Sequence, residues 1–368
     1  MDNSKKGTAI SLEEGIALLK DLIRIPSISR DEKAAADYLE SWLSSRSLSP
    51  NRIGNNLWCC DGAVVGDDGK AFLPPCEKPT LLLNAHIDTV KPSSGYTRDP
   101  FTPEIDGDIL YGLGSNDDGG SLVALTIAYS RLRLSPQPYR LVLSLTAEEE
   151  VCGKDGFEAI FPYIGNIDLG IMGEPTGMNM AVAERGLLVL DCTAHGKSGH
   201  AARNEGDNAL YHAMEDIGWF RTKVFDKVSE HLGPVKMTVT MISCGSQHNV
   251  IPAECKFVVD VRPNGLYTNQ ELVSLIRENV KSDVVPRSTR LGSSSIPMDH
   301  PVVKRGLSLG MTAFGSPTTS NQAVSPFTTL KIGPGESSRS HTADEFIRIS
   351  EIEKGVEGYV ALLDGLSL

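Results

Sequence analysis

No stretch of this 368-residue sequence approaches the roughly 20 consecutive apolar residues that span a bilayer, so no membrane segment is expected. Positive charge is also short: 35 lysines and arginines face 47 acidic residues, for a formal net charge of −12. That balance argues against a nucleic-acid surface and against a polybasic membrane patch. The seven cysteines are odd in number and include no C-x-x-C pair, which suits reduced thiols better than a disulfide framework or a thiolate zinc site. Cys59 and Cys60, though adjacent, read as small packing residues. The opening MDNSKKGTAI lacks the apolar stretch of a secretory signal, so the expected location is the cytoplasm. Chemistry on a small molecule is the class left standing.

What is present is enough for a large core. With 40% hydrophobic and 22% charged residues, a chain of this length is expected to divide into two domains. SLEEGIALLKDLIRI carries the capping pattern Ser11-x-x-Glu14 and apolar residues at helical spacing, and it stops at Pro26. A second helix is expected over about residues 31–45. PTLLLNAH, YRLVLSLTA and IDLGIM are short, nearly continuous apolar runs, the pattern of strands covered on both faces. A helical GGSLVALTIAYSRLR separates the first two. Strand, helix, strand in that order predicts a parallel α/β sheet whose ligands gather at the carboxyl ends of the strands.

From about residue 180 the pattern changes. AVAERGLLVLDCTAH reads as one long strand, followed by a helix over about 207–229 and strands in VKMTVTMISC and ECKFVVDVR. A helix in NQELVSLIREN and a final strand near 288–292 complete β-α-β-β-α-β, the ferredoxin-like split arrangement. The expected layout is therefore 1–179 and 295–368 as one domain, with 180–294 inserted into it.

Polar residues interrupt the apolar runs where those runs end. In LLLNAHIDTV, His86 and Asp88 stand two apart and so share a strand face. GLGSNDDGG places Asp117 and Asp118 in a glycine-rich turn before a helix. TAEEEVCG sets three glutamates directly after a buried strand, IMGEPT carries Glu174 after another, and SRSHTADEF holds His341. Alone, each has an ordinary reading: a hydrogen-bonded core histidine, a helix N-cap, a solvated acidic loop. Together, His, Asp, Glu, Glu and His at strand ends suit two zinc ions, which take nitrogen and oxygen ligands and keep a position open for water. A further carboxylate beside such metals can take the water's proton.

As an ordered set these motifs resemble the di-zinc metallohydrolase family of acetylornithine deacetylase, succinyl-diaminopimelate desuccinylase, aminoacylase and carboxypeptidase G, over essentially the whole chain. The resemblance implies an α/β catalytic domain with a mainly parallel sheet flanked by helices, plus an inserted ferredoxin-like α+β lid and dimerisation domain. It implies two Zn2+, with Co2+ able to substitute: Asp117 bridging, His86 and Glu174 completing one site, Glu150 and His341 the other. Asp88 would orient His86. Aligning Thr146-Ala147 with the family's pattern makes Glu149 the general base and Glu150 the ligand, with a shift by one residue, toward Glu148, left open. In HGKSGHAA, His200 would reach a partner subunit's active site and help stabilise the oxyanion. In HNVIPAECKFVVDVR, Asn249 and Arg262 would bind substrate, an arginine fork being suited to a carboxylate. A homodimer through the inserted domain is expected.

The chain departs from the family at Leu113, between two glycines where an arginine is usual, and at Gly119, where a lysine is usual. A cis peptide is expected after Asp117. The implied activity is hydrolysis of the amide of an N-acyl amino acid. The segment TTSNQAVSPFTTLKIGPGESSRSHTADEF resembles most the branch acting on N-acetyl- or N-succinyl-ornithine or citrulline in arginine biosynthesis. The alternatives are a metallo-dipeptidase or carboxypeptidase, a general aminoacylase, succinyl-diaminopimelate desuccinylase, or, from a different class, a binding module on the same scaffold.

Overall fold

The computed structural model describes residues 8–203 and 205–368. In chain order, the elements that place the functional residues are α1 (Leu12–Ile23), α2 (Lys33–Ser45), β1 (Thr80–His86), α3 (Gly120–Leu132), β2 (Arg140–Thr146), β3 (Leu169–Met172) and β4 (Met180–Glu184). There follow β5 (Leu188–His195), α4 (Ala209–Thr222), β6 (Lys236–Cys244), β7 (Glu254–Arg262), α5 (Asn269–Arg277) and β8 (Asp283–Pro286), then β9 (Thr329–Lys331) and α6 (Ile349–Leu363). Contacts divide the chain into two compact units. One comprises the chain up to Val182 with Ile296–Phe314 and Ser320–Leu368; the other is Ala183–Ser295 with Gly315–Thr319.

In the first unit, α1 begins at the expected capping box, where Ser11 and Glu14 satisfy each other's backbone N–H groups. β1 runs parallel to β2 on one side and to β3 on the other, and β3 is parallel to β9. The antiparallel strands Asn56–Cys59, beside β2, and β4, beside β9, continue the sheet outward. All seven residues of β1 are buried. Leu81, Leu83 and Ala85 join a core with Leu18 and Leu19 of α1, Leu122 of α3 and Tyr359 of α6. Leu82 points the other way, into a cluster with Trp58, Phe157 and Ile160. Both faces are thus covered, which is why the strand reads as an unbroken apolar run.

The second unit is a four-stranded antiparallel sheet in the order β6-β7-β5-β8, with α4 and α5 contributing to the core on one face. That is the ferredoxin-like order, as expected. Here the strands alternate: Leu188, Leu190, Cys192 and Ala194 of β5 are buried, and the residues between them are partly open.

Three local expectations need correction. AVAERGLLVLDCTAH is two strands, β4 and β5, broken at residues 185–187. The break has a steric cause, since a Cβ on Gly186 would lie 2.7 Å from the carbonyl oxygen of Leu291, so that backbone passes directly over it. Arg185 fills the corner, donating to the carbonyls of Leu232, Pro234 and Arg262. The last strand is Asp283–Pro286 rather than 288–292, pairing with β5 from Leu190 to Thr193. α4 ends at Thr222, where Lys223 turns to an extended conformation. No helix among the described residues is long and apolar enough to cross a membrane.

Candidate metal centre

Because β1, β2, β3 and β9 are parallel, their carboxyl ends open on one edge of the sheet, and the segments leaving that edge carry the expected ligands. His86 is the last residue of β1. Its Nδ1–H donates to the Asp88 carbonyl at 2.9 Å, which leaves Nε2 facing Asp117 Oδ1 at 3.2 Å. The Asp88 carboxylate is farther from the ring, at 3.5 Å. Its oxygens accept instead from the backbone N–H of Glu149 at 3.0 Å, that of Glu150 at 3.1 Å, and the Ser29 hydroxyl at 2.7 Å. Asp88 therefore orients His86 mainly through its carbonyl, and its carboxylate shapes the glutamate turn.

That turn follows β2 directly. Glu148 takes a positive φ of 57°. Its carboxyl is raised by burial and by the negative charges of Asp155 and Glu32, away from the metal ligands. Glu149 and Glu150 point the other way. His86, Glu149 and Glu150 offer ligand atoms all within 4.8 Å of one another, and so do Asp117, Glu150 and His341. His341 Nε2 lies 3.0 Å from Glu150 Oε2 and 3.7 Å from Asp117 Oδ2. Glu174 belongs to neither trio but acts on the cluster by charge, being one of the neighbours that raise Glu149 and Asp118. The peptide between Asp117 and Asp118 is cis.

The charges of this cluster are out of balance without a cation. Burial, then Glu174, pushes the Glu149 carboxyl well above the usual carboxylate range. Burial works against a charged His86, but Asp117 and Asp88 outweigh it and raise the ring's pKa well above its ordinary value. His341 is raised to about 9, chiefly by its hydrogen bond to Glu150. Two imidazoles and a ring of carboxylates, with no sulfur, in two trios sharing Glu150, fit a pair of divalent cations. Such ions would relieve the acidic repulsion and take the place of the protons on the histidines.

The two departures have local explanations. A Cβ at Gly119 would stand 2.4 Å from both the Gly114 carbonyl oxygen and Leu19 Cδ1, so this backbone admits no side chain there. Leu113 is buried and, with Leu19 and Leu122, lines a cavity of about 30 Å3 behind His86. That is room for one water and too small for a substrate.

His200, Asn249 and Arg262 lie in the second unit. His200 pairs with Val250 in a two-stranded ribbon, and the Asn249 carbonyl accepts from the Ala201 N–H at 3.0 Å, so His200 and Asn249 are neighbours. Both are exposed. Arg262 is half-buried, and its fork is engaged by Asp260, with Nε to Oδ1 at 2.7 Å and Nη2 to Oδ2 at 3.0 Å. Nη1 faces the Thr319 hydroxyl at 3.4 Å. Sequence reasoning missed Glu345, whose buried carboxylate holds the Asp117 loop, and Asn116, which ties that loop to Glu336. An acidic residue directly before the strand Phe346–Arg348, in the same short motif as His341, was the available signal.

Fold and candidate site together suit a metal-dependent hydrolase: an α/β unit with the candidate ligands at one sheet edge, and a ferredoxin-like unit inserted in it. Residues 182–287 match the model of the M20 peptidase dimerisation domain. The chain is 28% identical over 280 residues to succinyl-diaminopimelate desuccinylase of Dinoroseobacter shibae, covering 72% of each protein. It is also 28% identical over 291 residues to that of Sphingopyxis alaskensis, covering 76% of each. Among solved structures, aminopeptidase PepT from Bacillus cereus aligns with a TM-score of 0.74 at 18% identity, over 97% of this chain and 99% of that one. An M20 family metallo-carboxypeptidase from Sulfolobus solfataricus aligns with a TM-score of 0.72 at 16% identity, over 96% and 99%. At such identities the structural likeness speaks for the fold. Residues 182–287 thus carry a likeness to the M20 peptidases, the chain is similar to desuccinylases over nearly three quarters of its length, and both likenesses are to amidohydrolases acting on linear amides.

Proposed function

We propose that this chain is a zinc-dependent hydrolase that removes the acyl group from an N-acyl amino acid, with N-succinyl-diaminopimelate as the leading substrate. The carrying observation is the gathering of His86, Asp117, Glu149, Glu150 and His341 at the carboxyl edge of the sheet. The desuccinylase relatives, similar over nearly three quarters of the chain, support this substrate over the acylornithine or acylcitrulline reading, which rests on resemblance in the C-terminal segment alone.

In this reading His86, Asp117, Glu150, Glu174 and His341 hold two Zn2+, and Asp88 orients His86. When bound, the zinc ions supply Lewis acidity that lowers the pKa of a water and polarises the scissile carbonyl. Glu149 accepts the proton as the water oxygen attacks the acyl carbon. It then passes that proton to the amide nitrogen as the C–N bond breaks, leaving a free carboxylate and an amine. Its position favours this role, because its carboxylate oxygen lies within 4.8 Å of the ligand atoms of His86 and Glu150, next to where the water would be held. His200 donates a hydrogen bond to the developing oxyanion across a homodimer. Arg262, whose Nε and Nη2 hold Asp260, reaches the carboxylate end of the substrate with its remaining N–H groups, and Asn249 binds the same end. The dimer forms through the second unit, where β6 is an edge strand exposing Met241 at 64% and Ile242 at 54%.

Steady-state kinetics on zinc-loaded enzyme test the assignment, with N-succinyl-diaminopimelate compared against acetyl- and succinyl-ornithine, acetylcitrulline and a dipeptide panel. The highest kcat/KM is expected on N-succinyl-diaminopimelate. A clear preference for an acylornithine would restore the other reading, and turnover of dipeptides alone would make the enzyme a peptidase.

A further inference from the structure

Asp117, at the meeting point of the two histidines, sits in an irregular loop ahead of α3. Gly112 and Gly114 hold φ of 151° and 74°, and the regular part of α3 begins only at Gly120. The loop has hydrogen bonds of its own, from Ser115 N–H to the Gly112 carbonyl and from Gly119 N–H to the Gly114 carbonyl, but neither involves Asp117. The residue placed to hold Asp117 from outside the loop is Glu345, 2% exposed. Its Oε2 accepts from the Gly114 N–H at 2.9 Å, and its Oε1 accepts from Asn116 at 2.9 Å and Asp117 at 2.8 Å. Three backbone N–H groups of one loop thus converge on one buried carboxylate, which neither ligates nor touches the reacting groups in the mechanism above. A buried charge is costly, and a carboxyl serving only to fill space could give way to an apolar group of equal size. Asn116, between two of the gathered residues, adds a second tie: its Oδ1 accepts from Glu336 N–H at 3.0 Å and its Nδ2 donates to the Glu336 carbonyl at 3.1 Å.

We propose that Glu345 is the positioning residue of the metal bridge, fixing through the backbone of residues 114–117 the direction in which Asp117 presents its carboxylate between His86 and His341. It acts through Asp117 rather than on the substrate, and the inference rests on reading the cluster as a metal site.

The test uses the full-length protein with Glu345→Gln, which keeps the size but loses an acceptor, and Glu345→Asp, which keeps the charge but withdraws it by one methylene. Zinc affinity and stoichiometry are measured by competition with a chromophoric chelator, the Tm is taken on metal-free protein, and kcat and KM are measured on loaded enzyme. Both variants should bind zinc roughly tenfold to a hundredfold more weakly, as is typical when a supporting partner of a ligand is lost. Their kcat should fall with KM little changed, and the metal-free Tm should stay near that of the parent. Wild-type zinc affinity in both variants overturns the proposal, as does a drop in metal-free Tm with unchanged affinity, which would make Glu345 a purely structural residue. Wild-type behaviour of Glu345→Asp alone would reduce the effect to charge and overturns positioning. A parent protein that binds no zinc overturns the metal-site reading itself, and the proposal falls with it.

Discussion

The two units of this chain handle polar residues differently, and the difference governs what can be read from each. In the first unit β1 is sealed on both faces, so a histidine or an aspartate at its end has no water to turn to and needs a partner. In the second unit β5 alternates buried and partly open residues, and a polar side chain on its open face needs no explanation. His86 and Asp88 therefore stand out against their strand. Arg262, at the end of β7, looks like any other outward-facing residue.

Three substitutions sharpen or break that contrast. The largest effect is expected for Glu149→Ala, which should lower kcat by roughly a hundredfold to ten-thousandfold while both metal ions stay bound, measured by steady-state kinetics alongside metal analysis. Loss of a metal ion instead would make Glu149 a ligand beside His86. Next, Leu190→Ala in the sealed face of β5, where the side chain is 0% exposed, should cost about 2–5 kcal/mol in denaturant unfolding. Smallest is Val285→Ala on β8, 58% exposed, which should stay within about 0.5 kcal/mol of the parent. A cost at Val285 matching that at Leu190 would mean that the open face is covered in solution, and the contrast between the units would fail there.

The legible parts share a cause. β1, β2 and β3 are short apolar runs because both faces are covered, and α1 announces itself by Ser11 and Glu14. The placement of Glu149 and Glu150 follows from where β2 ends, at Thr146. What stayed hidden depends on groups without a residue identity or on distant backbone. Glu345 is satisfied by main-chain N–H groups, which have no residue identity, so only its place in the His341 motif hints at it. The break between β4 and β5 comes from backbone near residue 291 lying over Gly186, more than a hundred positions away along the chain. The strand Asp283–Pro286 is four residues long and ends in a proline, which is too brief to show a period.

Asp88 joins parts of the site that the chain holds far apart. Its carbonyl fixes the ring of His86, while its carboxylate holds the N–H groups of Glu149 and Glu150. A replacement at position 88 thus withdraws the carboxylate from the Glu149–Glu150 turn, while the backbone carbonyl that holds the His86 ring stays in place. One side chain therefore sets the two adjacent glutamates together, and substitutions at Asp88 should combine non-additively with those at residues 149 and 150.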